Sequence, residues 1–296
     1  MSWQLCAPET PAQWQAYFQL RYQVLREPWG QPIGSERDDL EADAFHQMIV
    51  SDSQQVLAVG RLHLLADGRA QVRYMAVSPD AQGQGLGAVV LTALERHADR
   101  VGASAIVLHA RDNAFGFYRK LGYGFGDVLP PVFGIPHQQM HKLLQLPVTV
   151  DEQVLWCQQL QQIWHQTIPL SAYMQLTIAQ FDGRELQTTA PLAPNKNLHD
   201  TMFAGAIYSL LTLTGWGMVW LQLKAAGLQG DIVLADANIR YVRPVTGQPV
   251  AKVRVVDCRG SLADGGRIRQ QVRVQLWDNQ TLLAEFQGQF AVISHA

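Results

Sequence analysis

The sequence predicts an α+β protein of two domains, in which a mixed, twisted sheet with helices is followed by an antiparallel sheet wrapped around a long central helix. Two observations carry this prediction. The run Met202–Leu223 contains no Asp, Glu, Lys, Arg or His and has strand-like sequence on both sides, and Val72–Val101 reads as a strand, a glycine-rich turn and a helix. The 296 residues suffice for two ordinary domains, which we place at residues 1–147 and 148–296.

Composition argues against several classes of function. The formal net charge is −2, so nothing in the overall charge indicates nucleic acid or an anionic membrane as a partner. The three cysteines, Cys6, Cys157 and Cys258, lie far apart, which fits a reducing compartment and argues against a disulfide framework or a zinc site. The first residues lack the basic and apolar regions of a secretion signal. We therefore expect a cytoplasmic protein without a metal.

The first domain begins with a predicted helix over Pro11–Val24, which has a proline in an early turn and apolar residues at helical spacings. The segment Pro28–Pro32 breaks this helix, and the polar, acidic stretch Gly34–Asp43 is a predicted loop. Three strands are then predicted, at His46–Ser51, Val56–Leu65 and Ala70–Val77.

The most informative stretch of this half is the turn Gln82–Gly87, which lies between the strand ending at Val77 and a helix that runs to about Val101. Its three glycines let backbone N–H groups converge on an anion at the helix N-terminus, where the helix dipole favours negative charge. The pattern is not the G-x-G-x-x-G of dinucleotide-binding folds. The turn is therefore predicted to bind an anion.

Coming after Met75–Val77, this turn resembles motif A of the GNAT acetyltransferases, and Asn113–Tyr123 resembles their motif B in the expected order. The later Gly134–His137 is similar to one GNAT subgroup. The resemblance implies a GNAT fold that binds acetyl-CoA or CoA, with the pantetheine along the strand edge and the pyrophosphate on the turn. The cofactor-binding residues that it implies are Met75, Ala76, Val77, Gln82, Gly83, Gln84, Gly85, Leu86, Gly87, Asn113 and Tyr118.

Tyr118 matches the usual general acid of this family, which protonates the leaving thiolate. An aromatic residue that packs the motif B helix against the sheet explains Tyr118 equally well, and both interpretations stay open. No clear general base is visible, because Arg73 and Tyr74 occupy the strand position where an acid often sits. The remaining candidate bases are His109, His137 and Glu95. The sequence thus supports binding of an acyl-CoA or a phosphopantetheine more firmly than it supports acetyl transfer.

The second domain is predicted to begin with a helix over Asp151–Gln166, because Thr149 and Glu152 have the spacing of a capping box. No Gly/Ser linker precedes this helix, so a rigid junction is expected. Asp182-Gly183 is a hairpin turn. The strands of this domain are predicted at Tyr173–Phe181, Glu185–Ala190, Ile232–Arg243, Gln248–Cys258, Arg267–Trp277 and Thr281–Ile293.

The charge-free run Met202–Leu223 is long enough for a membrane span. Polar residues and glycines within it, and the lack of a basic flank on one side, favour instead a helix that is apolar all round because it is buried all round. It is predicted to start near Thr201, where Asp200 or Thr201 caps it, and to end by Gly227. At about 1.5 Å per residue the helix is roughly 35 Å long.

A sheet curled around one central helix is the hotdog fold. The pattern Asn197-x-x-x-Thr201-x-x-Ala204-Gly205 resembles the Asn-x-x-Gly-Thr-x-x-Gly-Gly signature of hotdog thioesterases, and more closely the YiiD C-terminal family. Asp200 and Ala204 stand where the thioesterase pattern has Gly. The oxyanion or substrate site that the resemblance implies comprises Ala204, Gly205, Asp200 and Thr201.

The chemistry of the second domain depends on whether a carboxylate reaches the thioester. The central helix carries none, so Asp200 and Asp236 are the candidate bases of a thioesterase, and a helix cap is the other interpretation of Asp200. Decarboxylation of a malonyl thioester needs no base, because amide donors and a helix N-terminus can stabilise the enolate. The YiiD C-terminal family implies this malonyl–acyl carrier protein decarboxylase activity with an essential loop Asn. Asn197 is the first candidate and Asn195 the second, although both Asn residues could simply shape the loop.

Three functions therefore remain. The first is a GNAT module that binds acyl-CoA, joined to a hotdog domain that decarboxylates malonyl-carrier protein to acetyl-carrier protein for fatty-acid initiation. The second is a hotdog acyl-CoA or acyl-carrier-protein thioesterase joined to an active GNAT N-acetyltransferase. The third is an acyl-CoA sensor that sets the activity of the hotdog domain.

The expected substrate of the hotdog domain is the acyl-phosphopantetheine of an acyl carrier protein. Carrier proteins are acidic, so a basic docking face is expected, although solvated strand positions explain the same charges. Hotdog domains usually pair, so we expect at least a homodimer. The charged residues between positions 240 and 273 are Arg240, Arg243, Lys252, Arg254, Arg259, Arg267, Arg269 and Arg273 against Asp257 and Asp264.

Overall fold

A computed structural model describes residues 2–260 and 268–293. These residues form two compact units, each of which contains one seven-stranded sheet. The first unit comprises the described residues up to Tyr118 together with Phe125–Leu144, and the second comprises Arg119–Gly124 together with the described residues from Gln145 onward. The domain boundary after residue 147 stays a prediction.

The N-terminal half is a mixed sheet with helices, as predicted. Its sheet has the order β1-β2-β3-β4-β5-β7-β6, in which β4 and β5 pair in parallel while β1 to β4 are antiparallel neighbours. The strands are β1 (Trp3–Cys6), β2 (Phe45–Ser51), β3 (Val56–Leu64), β4 (Ala70–Val77), β5 (Ala105–Arg111), β6 (Gly124–Val132) and β7 (Ile135–Leu143). The helices are α1 (Pro11–Leu25), α2 (Leu86–Arg100) and α3 (Phe115–Lys120).

The sheet opens between β4 and β5. Their pairing joins Ala70–Val72 to Ile106–Leu108, although β4 continues to Val77 and β5 to Arg111. Beyond this short ladder the two strands diverge, and the backbone groups on the facing edges are left for a ligand.

A bulge in β4 lies beside the opening. Gly60 of β3 faces both Tyr74 and Met75, and Tyr74 takes the left-handed backbone angle φ 54°. A Cβ atom at Gly60 would overlap the Met75 sulfur, so any larger residue there would displace the Met75 side chain. Bulges bend a strand and redirect its side chains, which places this irregularity where the strands separate.

A network of ion pairs ties the predicted acidic loop to the sheet. Arg21 of α1 donates to both oxygens of Glu41 at 2.9 and 2.8 Å, and Arg61 of β3 donates to both oxygens of Asp38 at 2.6 and 2.9 Å. Both arginine side chains are 0% exposed. Bidentate pairs of this kind fix a loop in one position, because each planar guanidinium matches one carboxylate.

The C-terminal half is an antiparallel sheet around one long helix, which confirms the predicted architecture. The sheet order is β10-β14-β13-β11-β9-β8, with β12 paired to β13. The strands are β8 (Thr177–Phe181), β9 (Glu185–Thr189), β10 (Asp231–Tyr241), β11 (Val250–Arg254), β12 (Cys258–Arg259), β13 (Ile268–Asp278) and β14 (Thr281–Ile293). The helices are α4 (Val150–Thr167), α5 (Pro169–Tyr173) and α6 (Ala204–Ala225).

Helix α6 is enclosed on two sides. A Cβ atom at Gly215 would lie 3.0 Å from the Phe290 ring of the sheet, and one at Gly217 would lie 2.6 Å from the Trp164 ring of α4. The helix is long and apolar enough to cross a membrane, yet 61% of its most apolar window is buried inside the protein. This burial supports the prediction of a core helix.

The N-terminus of α6 differs from the prediction. The helix begins at Ala204, with Phe203 as the N-cap residue and no side-chain cap, so the prediction that Asp200 or Thr201 caps it was wrong. Asp200 takes a left-handed conformation with φ 55°, which turns the chain before the helix starts. The C-terminal end is confirmed, because Gly227 follows with φ 66°.

Candidate functional site

The opening between β4 and β5 forms a cleft of about 300 Å³. Its walls include Arg73–Met75 of β4 and His109–Arg111 of β5, and Asn113 and Tyr118 lie on the same cleft. Among the predicted cofactor residues, Met75, Asn113 and Tyr118 therefore converge. Ala76, Val77 and the turn from Gln82 to Gly87 lie outside the lining of this cleft.

The glycine-rich turn presents its backbone to solvent. Gly83 and Gly85 have φ angles of 76° and 79°, and the space around each is open. None of the backbone N–H groups of residues 83–87 donates a hydrogen bond within the described part of the chain. Because α2 begins at Leu86, these free N–H groups lie at the positive end of a helix. This geometry suits an anion, and the assignment of the turn to a pyrophosphate stays a prediction.

A second cavity, of about 330 Å³, lies at the N-terminus of α6. Its lining residues are Leu170, Tyr173, Met174, Pro194, Asn195, Lys196, Phe203, Gly205, Ala206 and Ser209. The backbone N–H groups of residues 204–206 donate no hydrogen bond to a described residue, whereas the N–H of Ile207 donates to the Phe203 carbonyl at 3.0 Å. No Asp or Glu of the described residues lines this cavity, which therefore offers amide donors and no carboxylate base.

Comparison with known proteins assigns a different family to each half of the chain. Residues 13–123 match the family model "Acetyltransferase (GNAT) family", and residues 157–294 match the model "Putative thioesterase (yiiD_Cterm)". The chain belongs to these two families, one in each half. It thus has a GNAT domain, whose fold implies binding of acetyl-CoA or CoA, and a YiiD C-terminal domain of the thioesterase class.

Individual relatives match about half of the chain each. The "Uncharacterized N-acetyltransferase YjcF" of Bacillus subtilis is 32% identical over 131 residues, which are 42% of this chain and 89% of that protein. A "putative thioesterase" of Shewanella oneidensis is 47% identical, with a TM-score of 0.44 over 47% of this chain and 98% of the other. An acyl-CoA N-acyltransferase of Pseudomonas aeruginosa is 26% identical, with a TM-score of 0.42 over 47% of this chain and 97% of the other.

Tyr118 of the GNAT domain is buried beside the cleft, and its ring packs edge to face on Phe117 at 5.0 Å. Burial raises the pKa of the Tyr118 phenol well above its ordinary value, because the charged phenolate is poorly solvated there. A phenol that keeps its proton until a strong base forms suits a general acid. The position of Tyr118 is therefore compatible both with packing and with a role as general acid.

The candidate bases of the GNAT domain divide into two groups. His109 and His137 line the cleft, and burial, with the charges of Arg73 and His137, lowers the pKa of His109, so its ring is neutral at neutral pH. Glu95 lies outside the cleft lining and forms a buried ion pair with Lys142 at 3.2 Å. The structure thus brings the two histidines to the cleft and leaves Glu95 away from it.

Asp38 was missed by sequence reasoning, although the acidic loop was predicted. Its carboxylate accepts hydrogen bonds from Arg73 at 2.7 Å and from the Tyr74 hydroxyl at 3.3 Å, and both partners line the cleft. Burial opposes ionisation of Asp38, but the hydrogen bonds and charges of Arg61 and Arg73 hold its pKa well below its usual range. Asp38 is therefore a poor base and a good anchor for Arg73.

Asn195 of the YiiD C-terminal domain lines the cavity and is 4% exposed. Its Nδ2 donates to the Met174 carbonyl at 2.9 Å and to the Pro191 carbonyl at 2.8 Å, so both amide hydrogens are occupied. The side-chain oxygen accepts no hydrogen bond from the described residues. Asn195 thus fixes the loop and offers a ligand an acceptor.

Asn197 lies outside the cavity lining. Its Nδ2 donates to the Thr201 hydroxyl at 3.0 Å, and its Oδ1 accepts from the backbone N–H of His199 at 2.8 Å. These bonds close the turn between residues 197 and 201. Thr201 is part of the same turn, through its hydroxyl. The expected order of importance, Asn197 before Asn195, is therefore not supported by the cavity lining.

The two candidate carboxylates of this domain lie away from the cavity. Asp200 is 80% exposed and pairs with Lys196 at 2.7 Å, and the hydrogen bond and charge of Lys196 lower the pKa of Asp200. Asp236 is exposed next to a bulge of β10 and does not line the cavity. Of the four predicted oxyanion residues, Gly205 lines the cavity, and Ala204 lies beside it outside the lining with a free N–H group.

Some of the cations of the predicted basic face are close to carboxylates. Arg273 forms an ion pair with Glu285, and Arg254 lies 3.9 Å from Glu185. Arg267 and Asp264 lie outside the described residues. Among the other cations of this set, Arg240, Arg243 and Arg269 are exposed.

Proposed function

We propose that the YiiD C-terminal domain decarboxylates malonyl-acyl carrier protein to acetyl-acyl carrier protein, and that the GNAT domain binds acyl-CoA. The observation that carries the proposal is the cavity at the start of α6, where free backbone N–H groups occur without a carboxylate among the described lining residues. Hydrolysis needs an activated water or a nucleophile, whereas decarboxylation needs only stabilisation of the negative charge that develops.

In the proposed reaction the bond between Cα and the malonyl carboxylate breaks and carbon dioxide leaves. The electron pair of that bond forms a thioester enolate, whose oxygen accepts hydrogen bonds from the N–H groups of residues 204–206 at the positive end of α6. A proton from solvent then adds to Cα and gives the acetyl thioester. One such donor is worth about 3–4 kcal/mol of barrier.

Asn195 has a defined part in this proposal. Its occupied amide hydrogens hold the loop beside Met174, and its free oxygen can accept an N–H of the phosphopantetheine arm. Asn197 shapes the neighbouring turn and acts on the cavity through the loop. The proposed catalytic and binding residues are therefore Asn195, Asn197 and the backbone of Ala204 and Gly205.

The proposed partner is an acyl carrier protein. Exposed Arg240, Arg243 and Arg269 support a docking surface for an acidic protein. We further propose a cytoplasmic homodimer that works in fatty-acid initiation.

The test is to incubate the full chain with malonyl-acyl carrier protein and to resolve the carrier species by mass. Acetyl-carrier protein is the expected product. Asn195→Ala should lower the rate about 100-fold, because it removes both hydrogen bonds that hold the loop and the acceptor proposed for the phosphopantetheine arm. His199→Ala is the matched control in the same loop, because the hydrogen bond of His199 to Asn197 comes from its backbone N–H, which alanine keeps. Unchanged turnover of the double variant Asn195→Ala, Asn197→Ala would overturn the proposal.

A second candidate function is hydrolysis, which the thioesterase description of the matched family favours. Free carrier thiol and malonate in the same assay would identify it. A hotdog rate that changes with CoA, in the absence of any acetylated amine, would point instead to a GNAT domain that acts as a sensor.

A further inference from the structure

The cleft of the GNAT domain is positively charged. Three arginines line it, Arg26, Arg73 and Arg111, and no Asp or Glu of the described residues does. Arg73 forms an ion pair with Asp38 at 2.7 Å. Arg26 and Arg111 have no carboxylate partner in the described part of the chain. Two half-buried guanidinium groups therefore face one cleft without a counter-ion.

Both guanidinium groups are held in place by the backbone. Arg26 donates from Nε to the Ser35 carbonyl at 2.9 Å and from Nη1 to the Leu25 carbonyl at 3.0 Å. Arg111 donates from Nη2 to the same Leu25 carbonyl at 3.2 Å, and it stacks on the Trp29 ring at 5.2 Å. A guanidinium carries about five N–H donors, so most of these donors remain available to a ligand.

The charged forms of Arg26 and Arg111 are destabilised at these positions. Burial lowers the pKa of Arg26 and of Arg111, and in Arg111 the charge of Arg26 lowers it further. A bound anion would offset both the lost hydration and the mutual repulsion. The pyrophosphate of CoA is expected elsewhere, because the free N–H groups that suit it belong to residues 83–87, outside the cleft lining.

We infer that Arg26 and Arg111 form a binding site for an anionic group on the acceptor of the GNAT domain, which is a small amine carrying a carboxylate or a phosphate. The inference rests on the proposed acyl-CoA role of this domain. With its anion on the two arginines, the acceptor lies in the same cleft as His109, His137 and Tyr118, where the acyl group would arrive.

The test measures binding of acetylated products, so it needs no turnover. The probes are two matched pairs: N-acetyl-L-alanine with N-acetyl-L-alaninamide, and N-acetyl-phosphoethanolamine with N-acetylethanolamine. Each pair differs in the charged group alone, and the two pairs separate a carboxylate acceptor from a phosphate acceptor. The full chain is titrated by calorimetry with each probe, with and without saturating CoA.

We expect at least one charged probe to bind about tenfold or more tightly than its neutral partner, because charged hydrogen bonds to two guanidinium groups are strong. Arg26→Gln and Arg111→Gln should each remove most of this preference and leave CoA affinity within about twofold. Arg111→Lys, which keeps the charge and loses the planar fork, should retain part of the preference. Arg100→Gln, at an exposed position of α2, is the control and should change nothing.

Equal binding of charged and neutral probes overturns the inference, and so does the absence of binding by every probe. A preference that survives in both Gln variants overturns it as well. Unchanged CoA affinity in the variants shows that the domain is folded. Failure of the wild-type chain to bind CoA would overturn the acyl-CoA proposal separately, since the charge preference is also read in the CoA-free chain.

Discussion

Gly85 and Gly102 have the same backbone conformation, but only Gly85 lies in the proposed binding site. Both are left-handed, with φ 79° and 85°, and neither has a neighbour within 4 Å of an added Cβ atom. Gly85 precedes α2 in the proposed pyrophosphate turn, whereas Gly102 follows the other end of the same helix. The pair therefore separates the effect of backbone strain from the effect on an anion.

We predict that Gly85→Glu lowers CoA affinity about 100-fold or more, because a carboxylate enters a site whose free N–H groups favour anions. Gly102→Glu should leave CoA affinity within about twofold, although its left-handed strain, of roughly 1–2 kcal/mol, is similar. The measurement is equilibrium binding of CoA by the full chain. Equal loss in both variants, or in neither, would remove the pyrophosphate assignment.

Asp38 makes the stability of the GNAT domain depend on pH. A carboxyl whose pKa is lower in the folded state contributes stability that is fully present above its unfolded pKa of about 3.9 and is lost as the pH falls toward the folded value. Asp38→Asn should therefore destabilise the domain by about 3 kcal/mol at pH 7, because it leaves Arg73 without a counter-charge and the buried Arg61 with Glu41 alone. The difference from wild type should shrink below about pH 4.

Calorimetric unfolding of the two proteins between pH 3 and 7 tests this expectation. Asp39→Asn, at the exposed neighbouring position, is the control and should stay within about 0.5 kcal/mol of wild type. A difference that is independent of pH would show that Asp38 acts through packing and not through its charge.

At the scale of elements, Gly215 and Gly217 allow α6 to pack closely against its neighbours. Gly217 faces Trp164 and Leu160 of α4, whose atoms would lie 2.6 and 3.1 Å from a new Cβ atom. A glycine in a helix interior usually costs about 1 kcal/mol relative to alanine, so its presence here reflects the close approach of the two helices.

Gly217→Ala should consequently destabilise the YiiD C-terminal domain by about 1–3 kcal/mol, against the gain expected from helix propensity alone. Gly247→Ala, where a Cβ atom meets open space and φ is not positive, should be nearly neutral. The readout is the shift of the calorimetric transition of this domain. A stabilised Gly217→Ala variant would mean that α6 and α4 can move apart without cost.

At the scale of the whole molecule, the sheet of the YiiD C-terminal domain ends in a strand with one free edge among the described strands. Strand β10 has eleven residues and pairs with β14 on one side. Val233 and Tyr241 on this strand are 40% and 47% exposed. A long edge with apolar side chains favours association, because free N–H and C=O groups along it can pair with a second copy.

We therefore predict that light scattering measures twice the 33.0 kDa mass of the chain. Since a homodimer of this kind would bury the β10 edge, backbone amides of Asp231–Tyr241 should exchange slowly with deuterium. A mass of one chain across the micromolar range, with fast exchange along β10, would contradict the prediction.

The elements were largely predictable from sequence because their signals are local. The strand Ala70–Val77 and the strand Thr281–Ile293 have the predicted bounds, and the capping box at Thr149 starts α4 as expected. The first strand, Trp3–Cys6, was missed, since four residues carry too little periodicity. The start of α6 was misplaced, because a left-handed turn at Asp200 separates the polar residues from the helix.

Local sequence is enough to predict the two families, the glycine-rich turn and the uncharged central helix, because each of these depends on neighbouring residues in the chain. Which polar groups are free depends on the tertiary fold. Asn195 is hydrogen-bonded to Met174, Asp38 forms an ion pair with Arg73, and Arg111 shares a carbonyl with Arg26 although 86 residues separate it from Leu25. Whether a charge is paired or open to a ligand depends on such distant contacts, which local sequence does not encode.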